Sequence, residues 1–441
     1  MKTWPPIVVT RLGERPNLQR LLANTGWLVG DRLVRIGVGV IVSALVARYL
    51  GPTQYGMYSY AGALVALFSA VATLGLDSIV IRDLVRHPDV KGETLGTAFT
   101  LRLIGAIVMI ASAIAAISIL SPQDDTTHWL VAIIAAASLF QSSDVVDFWF
   151  QSRVKSKYTV LARNAAFLLL AATKIGLIEL RAPLVAFALA VLAEAAVAAF
   201  GLILAYAVDR QSLRAWRFNM PRARELLWDS WPLMLSSAAI LVYMKINQVL
   251  LGHLAGNEAV GIYAAATRIA EVWFFLPSVI VSTVFPSILG AKRADQGLYQ
   301  QRVQQLFNVM VWLGYLVAIS ITTFSNMIVS VLYGSRFSEA APVVSVLAWT
   351  APFVCLGVAT QSWIVAEGMM RFSLATTVFG AAASVVLNLL LIPISGPIGA
   401  AIATLCSQII SVTLSTLFYT RTRKIFHMQL SSLLLYRSLR P

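Results

Sequence analysis

At 441 residues, 58% hydrophobic and only 12% charged, the chain is too apolar for a soluble multidomain protein and reads as an integral membrane protein. Its net charge of +14 would suggest nucleic acid in a soluble chain, but here the basic residues follow membrane topology, so anionic inner-leaflet phospholipid is the expected partner and nucleic acid is not. Cys355 and Cys406 both lie inside apolar runs and the four histidines lack ligand spacing, which excludes a disulfide framework and gives no support to a metal site.

Residues 1–23 are basic and lack a short apolar region with a small-residue cleavage site, so a cytoplasmic tail leading into a span is expected, without a cleaved signal. Apolar runs between breakers then predict twelve spans, at about 25–48, 55–80, 97–120, 129–150, 159–180, 182–206, 231–254, 259–286, 306–333, 340–364, 372–392 and 398–420. The last two share 49 consecutive uncharged residues broken by Pro393-Ile394-Ser395-Gly396-Pro397, a helical hairpin across the membrane. Residues 421–441 alternate basic and apolar residues and are expected to lie on the inner leaflet as a cytoplasmic tail.

Of the 34 Lys and Arg, 25 fall in the tails and in every second gap, three (Arg48, Arg181, Arg336) on the opposite side, and six (Arg32, Arg35, Arg102, Lys174, Lys245, Arg268) inside spans. Loops rich in Lys and Arg stay cytoplasmic, which places both termini inside. The gap 207–230 holds five arginines and divides the spans six and six, so it reads as a linker between an N-lobe, 24–206, and a C-lobe, 231–420. Each half carries G-x-Y-x-x-A at the start of its second helix: Gly56-Met57-Tyr58-Ser59-Tyr60-Ala61 and Gly261-Ile262-Tyr263-Ala264-Ala265-Ala266. Same-direction repeats predict an all-α protein of about twelve transmembrane helices in two six-helix lobes around a central cavity, working by rocking.

Four stretches carry a family resemblance. They are Ala47-Arg48-Tyr49-Leu50-Gly51-Pro52 with Tyr55-Gly56-Met57-Tyr58; Asp147-Phe148-Trp149-Phe150-Gln151 with Lys157-Tyr158; Leu251-Gly252 through Gly261-Ile262-Tyr263 to Glu271 and Pro286; and Asn388-Leu389-Leu390-Leu391-Ile392-Pro393 with Gly396 and Gly399-Ala400-Ala401-Ile402-Ala403-Thr404. Over about residues 24–420 the chain resembles the polysaccharide transporter (O-antigen flippase) family of the multidrug/oligosaccharidyl-lipid/polysaccharide exporter superfamily. It departs from the family at Ser152, where a glycine often follows the Gln, and at Thr53-Gln54, which replace an acidic residue. The resemblance implies a secondary transporter and not an enzyme. It would be a multi-pass flippase of the bacterial inner membrane, moving an undecaprenyl-diphosphate-linked oligosaccharide to the outer leaflet. Membrane lipids and other polysaccharide-assembly proteins are its expected partners.

The charges inside the spans are the candidate site. An arginine at the bilayer centre costs about 2.5 to 3.5 kcal/mol on insertion scales, so each needs a partner or water. Arg32, Arg35, Lys174, Lys245 and Arg268 are the expected contacts to a diphosphate, because guanidinium forks and ammonium groups can replace the hydration of phosphate oxygens. Asp31, Glu194 and Glu271 are candidates for coupling to H+ or Na+, with no other cofactor expected. The competing reading makes these charges structural: Asp31 with Arg35 and Arg268 with Glu271 can pair along their own helices, and the carboxylates then serve as counter-ions. Asp144 and Asp147, near Arg153, Lys155 and Lys157, read as an interfacial salt-bridge cluster, as do Asp77, Arg82 and Asp83. Small residues at Gly37 and Gly39 read as a close helix contact.

No G-x-x-x-x-G-K-[ST] phosphate loop occurs, which argues against ATP-driven transport by this chain. A membrane glycan ligase or polymerase would need a sizeable outer loop, and the largest outer gap, Ser121 to His128, is short. A drug/cation antiporter of the same superfamily would favour an acidic or aromatic cavity, against the excess of cations inside these spans.

Overall fold

The computed structural model describes residues 16–155 and 157–434, with side chains described from Arg35 onward. Every regular element among them is helical. In lipid the backbone must satisfy its own hydrogen bonds, and a chain this apolar does so most readily as helices. In chain order these are α1 (Pro16–Thr73), α2 (Asp77–Arg86), α3 (Lys91–Leu120), α4 (Asp125–Gln141), α5 (Val145–Ser152), α6 (Lys157–Glu179), α7 (Leu184–Val208) and α8 (Met220–Glu271). They are followed by α9 (Phe275–Ala294), α10 (Gln296–Tyr333), α11 (Ala340–Ala348), α12 (Ala351–Glu367), α13 (Met370–Ile409), α14 (Ser415–Phe418) and α15 (Arg423–Leu433). Among the described residues nine segments are long and apolar enough to cross a membrane, and the chain is a multi-pass membrane protein.

Three of those segments are broken internally at places where the sequence predicts turns. α1 breaks at Gly51 (φ 72°, ψ 173°), α8 at Gly256 (φ 84°, ψ 174°) and α13 at Gly396 (φ 52°, ψ −127°). Positive φ with ψ near 180° is open essentially to glycine alone. Gly51 and Gly256 occupy matched positions of the repeat and share one backbone geometry, so the internal similarity extends from sequence to conformation. The phrases that follow them meet each other. A Cβ at Gly56 would stand 1.7 Å from Asn257 O, and one at Gly261 would stand 2.0 Å from Pro52 O. Pro52 and Asn257 are themselves matched positions, so the contact is reciprocal, as across a two-fold axis.

The chain forms two compact units. Unit 1 takes the chain up to Val42, then Ser69–Ser112 and Ala132–Met234. Its apolar core gathers Leu76, Val80, Leu95, Val146, Phe150 and Leu226. Above that core runs a ladder of ion pairs. Arg102, 4% exposed, reaches Asp77 at 3.3 Å and Asp144 at 3.9 Å and lies over the Phe148 ring; Arg222 pairs with Asp83 at 3.0 Å. The expected carboxylate clusters therefore exist: Arg82 pairs with Asp83 at 3.0 Å as expected, and the other partners differ. Arg153 stacks on Trp149 and Lys155 bonds Asp209, while Asp144 and Asp147 turn to Arg163. Residues 207–230, read as a linker, are folded onto this unit: Trp216 packs on Phe99 and Tyr206, and Asn219 bonds Thr97 and Glu93. Gly37 has no other group within 4 Å of a would-be Cβ, so the close contact expected there is not formed. Arg102→Ala would take from Asp77 its cation and from Asp144 the more distant of its two, a loss of about 1 to 3 kcal/mol. We expect a marked fall in the unfolding temperature of the purified protein, read by differential scanning fluorimetry.

Unit 2 takes Ser43–Phe68, Ala113–Val131 and Leu235–Pro441. Phe307, Met310, Val311, Ala351, Cys355 and Leu356 form its core, joined by Ile425 and Met428 of α15. The tail expected on the inner leaflet thus docks one face onto the bundle and leaves Arg423, Lys424 and His427 exposed. The lock is Gln429, fully buried, whose amide bonds Thr360 (2.8 Å), Thr416 (3.1 Å) and Val412 O (3.2 Å). Val412 O is available because Ile410–Leu414 form a π turn, which displaces the regular carbonyl pairing. Gln429→Ala strands these groups at a cost of about 1 to 3 kcal/mol, and the expected result is a lower unfolding temperature in the same scanning measurement. A second buried network joins Asn247, Tyr263, Ser384, Asn388 and Thr404, linking α8 to both arms of α13.

Candidate functional site

The intramembrane charges fall into two groups, one in each unit. In unit 1 the structure brings Arg35 (α1), Lys174 (α6) and Glu194 (α7) together. Arg35 and Glu194 line a cavity of about 410 Å³ whose other polar walls are Gln141, Ser143, Asp144 and Arg163. Arg35 lies over the Phe167 ring at 5.2 Å, a cation–π contact. Lys174 Nζ reaches Glu194 Oε2 at 3.5 Å, which gives that carboxylate the counter-ion position considered for it. Arg163 is held by Asp144 at 2.8 Å and Asp147 at 3.0 Å. The cavity is therefore lined by charges of both signs, largely paired, and not by a surplus of cations.

Unit 2 differs. Arg268 is exposed although the residues around it on α8, Tyr263–Ala266 and Ile269–Ala270, are buried, so its side chain leaves the packed face of the helix for an open space. Tyr55, Tyr58, Tyr333 and Glu271 are near enough to feel its charge. The expected i,i+3 ion pair with Glu271 is not formed, and Arg268 has no ion pair or hydrogen bond among the described residues. Glu271 is the last residue of α8. The Tyr333 hydroxyl is buried and has no hydrogen-bond partner among the described residues. Lys245, half-buried on the same helix, likewise has no ion pair among the described residues. A further cavity of about 660 Å³ in this unit is lined by Val281, Phe285, Val358 and Val365 with Gln361 and Gln408, and carries no charged side chain. The side chains of Asp31 and Arg32, also expected in the site, lie outside the described residues.

Similarity to known proteins decides the family. The model for the polysaccharide biosynthesis protein family matches residues 21–292, well over half of the chain, and the MatE model matches residues 232–394. The chain belongs to the polysaccharide biosynthesis protein family. Within it, the chain is 23% identical over 411 residues to the probable low-salt glycan biosynthesis flippase Agl15 of Haloferax volcanii, covering 91% of this chain and 82% of that one. Two solved structures share the fold at 14% identity. One is an inward-facing multidrug resistance MATE transporter of the MOP superfamily (TM-score 0.75, 90% of this chain and 96% of that one). The other is the lipid II flippase MurJ in an inward closed conformation (TM-score 0.70, 94% and 91%). As a member of this family, the chain uses the stretch Ala47–Pro52 to build the Gly51 turn, and Leu251–Gly261 to build its counterpart at Gly256.

Two site features escape sequence reasoning. Arg163 counts among the cations of the basic gap before the span expected at about 159–180, although it falls inside that span; α6 begins at Lys157 and carries it in its second turn, against the cavity. Gln141 and Ser143 look unremarkable in an apolar run. Their signal is the break in α4, where Ser142–Asp144 form a 3₁₀ turn before α5.

Proposed function

We propose that this chain is a flippase that carries an oligosaccharide linked to a polyprenyl diphosphate, undecaprenyl in bacteria, from the cytoplasmic to the outer leaflet of the inner membrane. Family membership supports the transport of glycan precursors, and relatives bearing flippase names support the direction of the argument. The observation that carries the diphosphate is Arg268: a guanidinium inside a span, open to space, with no carboxylate bound to it. An anionic head group supplies what that charge lacks.

The reading assigns Arg32, Arg35, Lys174, Lys245 and Arg268 to the head group, with Arg163 added beside Arg35. Lobes 24–206 and 231–420, joined at 207–230, rock about the matched turns at Gly51 and Gly256. Twelve spans follow when the segments broken at Gly51, Gly256 and Gly396 are each counted twice, with both termini in the cytoplasm. Asp31, Glu194 and Glu271 are the groups for H+ or Na+ coupling, and Glu271 is the one of them with a described side chain and no ion pair.

Removal of the gene tests this. The expected result is a completed lipid-linked oligosaccharide that accumulates on the cytoplasmic face of the membrane. Accumulation on the outer face would instead fit a ligase or polymerase, and unchanged glycolipid with altered drug tolerance would fit an antiporter.

A further inference from the structure

The cations at the Gly51 end of unit 2 form an arrangement that the cavity does not use. Sequence topology leaves only Arg48, Arg181 and Arg336 on that side, and two of the three converge. Arg48 lies three residues before the Gly51 turn, and its head group rests on another turn, at Gly334, whose Cβ position stands 3.5 Å from Arg48 Nε and 3.6 Å from Nη2. Arg336 answers it: the Cβ position at Gly51 stands 3.7 Å from Arg336 Nη1. Each arginine is thus laid across the other's glycine. Gly51 (φ 72°, ψ 173°) and Gly334 (φ 79°, ψ −177°) share a backbone geometry that a side chain would strain, so both turns stay bare beneath the guanidinium groups.

Both arginines are exposed, and neither has an ion pair or hydrogen bond among the described residues. Two exposed guanidinium groups on adjoining turns concentrate positive charge where an anion can reach both. Beneath them is an aromatic layer. Phe337, fully buried, packs edge-on to Tyr55 (6.1 Å) and tilted against Tyr333 (5.4 Å). Tyr55 and Tyr333 are also neighbours of Arg268. Arg268 and the Arg48/Arg336 pair therefore both border one aromatic layer.

We infer that Arg48 and Arg336 form a second anion site, one that takes the diphosphate bridging a polyprenyl chain and its glycan, beside the aromatic layer that Arg268 also borders. This rests on the flippase reading: the site receives the head group as it leaves the interior. Two forked donors with five N–H groups each match the non-bridging oxygens of a diphosphate better than a single lysine could. The same chemistry would bind a lipid head group or a free anion, and the test separates them.

The full-length chain in nanodiscs is treated with p-hydroxyphenylglyoxal, and modification of each arginine is followed by mass spectrometry with undecaprenyl diphosphate, undecaprenol or inorganic diphosphate present. At a probe concentration about ten times its Kd, modification of Arg48 and Arg336 should slow about tenfold with undecaprenyl diphosphate and not with undecaprenol. Equal protection by inorganic diphosphate supports a site that reads the phosphates alone; protection by the lipid only supports a head group presented from the leaflet. Unchanged modification of both arginines under either diphosphate overturns the inference. Protection confined to Arg35 and Arg268 overturns it too, while leaving the flippase reading intact. Protection of Arg48 and Arg336 without Arg35 or Arg268 keeps the site and removes the interior route to it.

Discussion

Arg268→Ala abolishes surface glycan while leaving the amount of protein in the membrane unchanged. The two halves of that expectation have separate grounds. Loss of the side chain strands no carboxylate, because Arg268 forms no ion pair among the described residues, and a cation inside a span is itself a cost of about 2.5 to 3.5 kcal/mol. Folding should therefore tolerate the change. A diphosphate would lose charge-assisted hydrogen bonds worth about 1.5 to 3 kcal/mol each, or about 10- to 150-fold in affinity per bond. Arg268→Lys keeps the charge and loses the fork, so partial display is expected. Arg35→Ala, at the cavity with Glu194 and stacked on Phe167, should likewise lose surface glycan. Immunoblots of membranes beside glycan staining of the cell surface give both readouts. Full display from both alanine variants would dismiss the assigned contacts.

Gly56→Ala forces apart the crossing of the two repeats. Ordinary Cβ contacts begin near 3.4 Å, and here the new carbon would stand 1.7 Å from a backbone oxygen, Asn257 O, which no rotamer change can move. The segments must separate by about 1.5 Å or more, and the dispersion contacts along the crossing weaken with them. Gly261→Ala meets Pro52 O at 2.0 Å and should do the same; the double variant should add little, because both changes relieve one contact. Spin labels at Thr53 and Glu258, exposed and matched in the repeat, read the separation by double electron–electron resonance. The expected change is a longer, broader distance in either single variant, with slowed translocation if this crossing closes and opens in the transport cycle. A distance unchanged from wild type would contradict the reciprocal packing.

The breaks of the fold were legible because they are written locally. Pro52, Pro393 and Pro397 beside Gly51 and Gly396 announce turns, and G-x-Y-x-x-A repeats at the two places that prove to touch. Long-range partners leave no such mark. Asp144 stands near Arg153, Lys155 and Lys157 in sequence, yet bonds Arg163 and Arg102 from other helices. Counting basic residues to find loops also hid Arg163, since the same rule that locates a gap assigns its last cation to the gap. The α15 docking was invisible for a related reason: a strip of alternating basic and apolar residues suits a lipid surface, and only the buried Gln429, with partners on α12, α14 and the π turn, reveals that one face is claimed by protein. At Arg268 the spacing offers Glu271 as a partner, and spacing alone does not make the pair: none forms between them among the described residues.

The central claim is that a diphosphate head group is recognised inside the membrane by this protein's cations. Purified chain in proteoliposomes, loaded with a fluorescent oligosaccharide on undecaprenyl diphosphate or with the same glycan on a neutral polyprenyl ether, tests it most directly by dithionite quenching of the exposed leaflet. The account predicts that the protein accelerates exchange of the diphosphate lipid between leaflets and leaves the neutral one at the rate of protein-free vesicles. Equal acceleration of both lipids, or of neither, would contradict it.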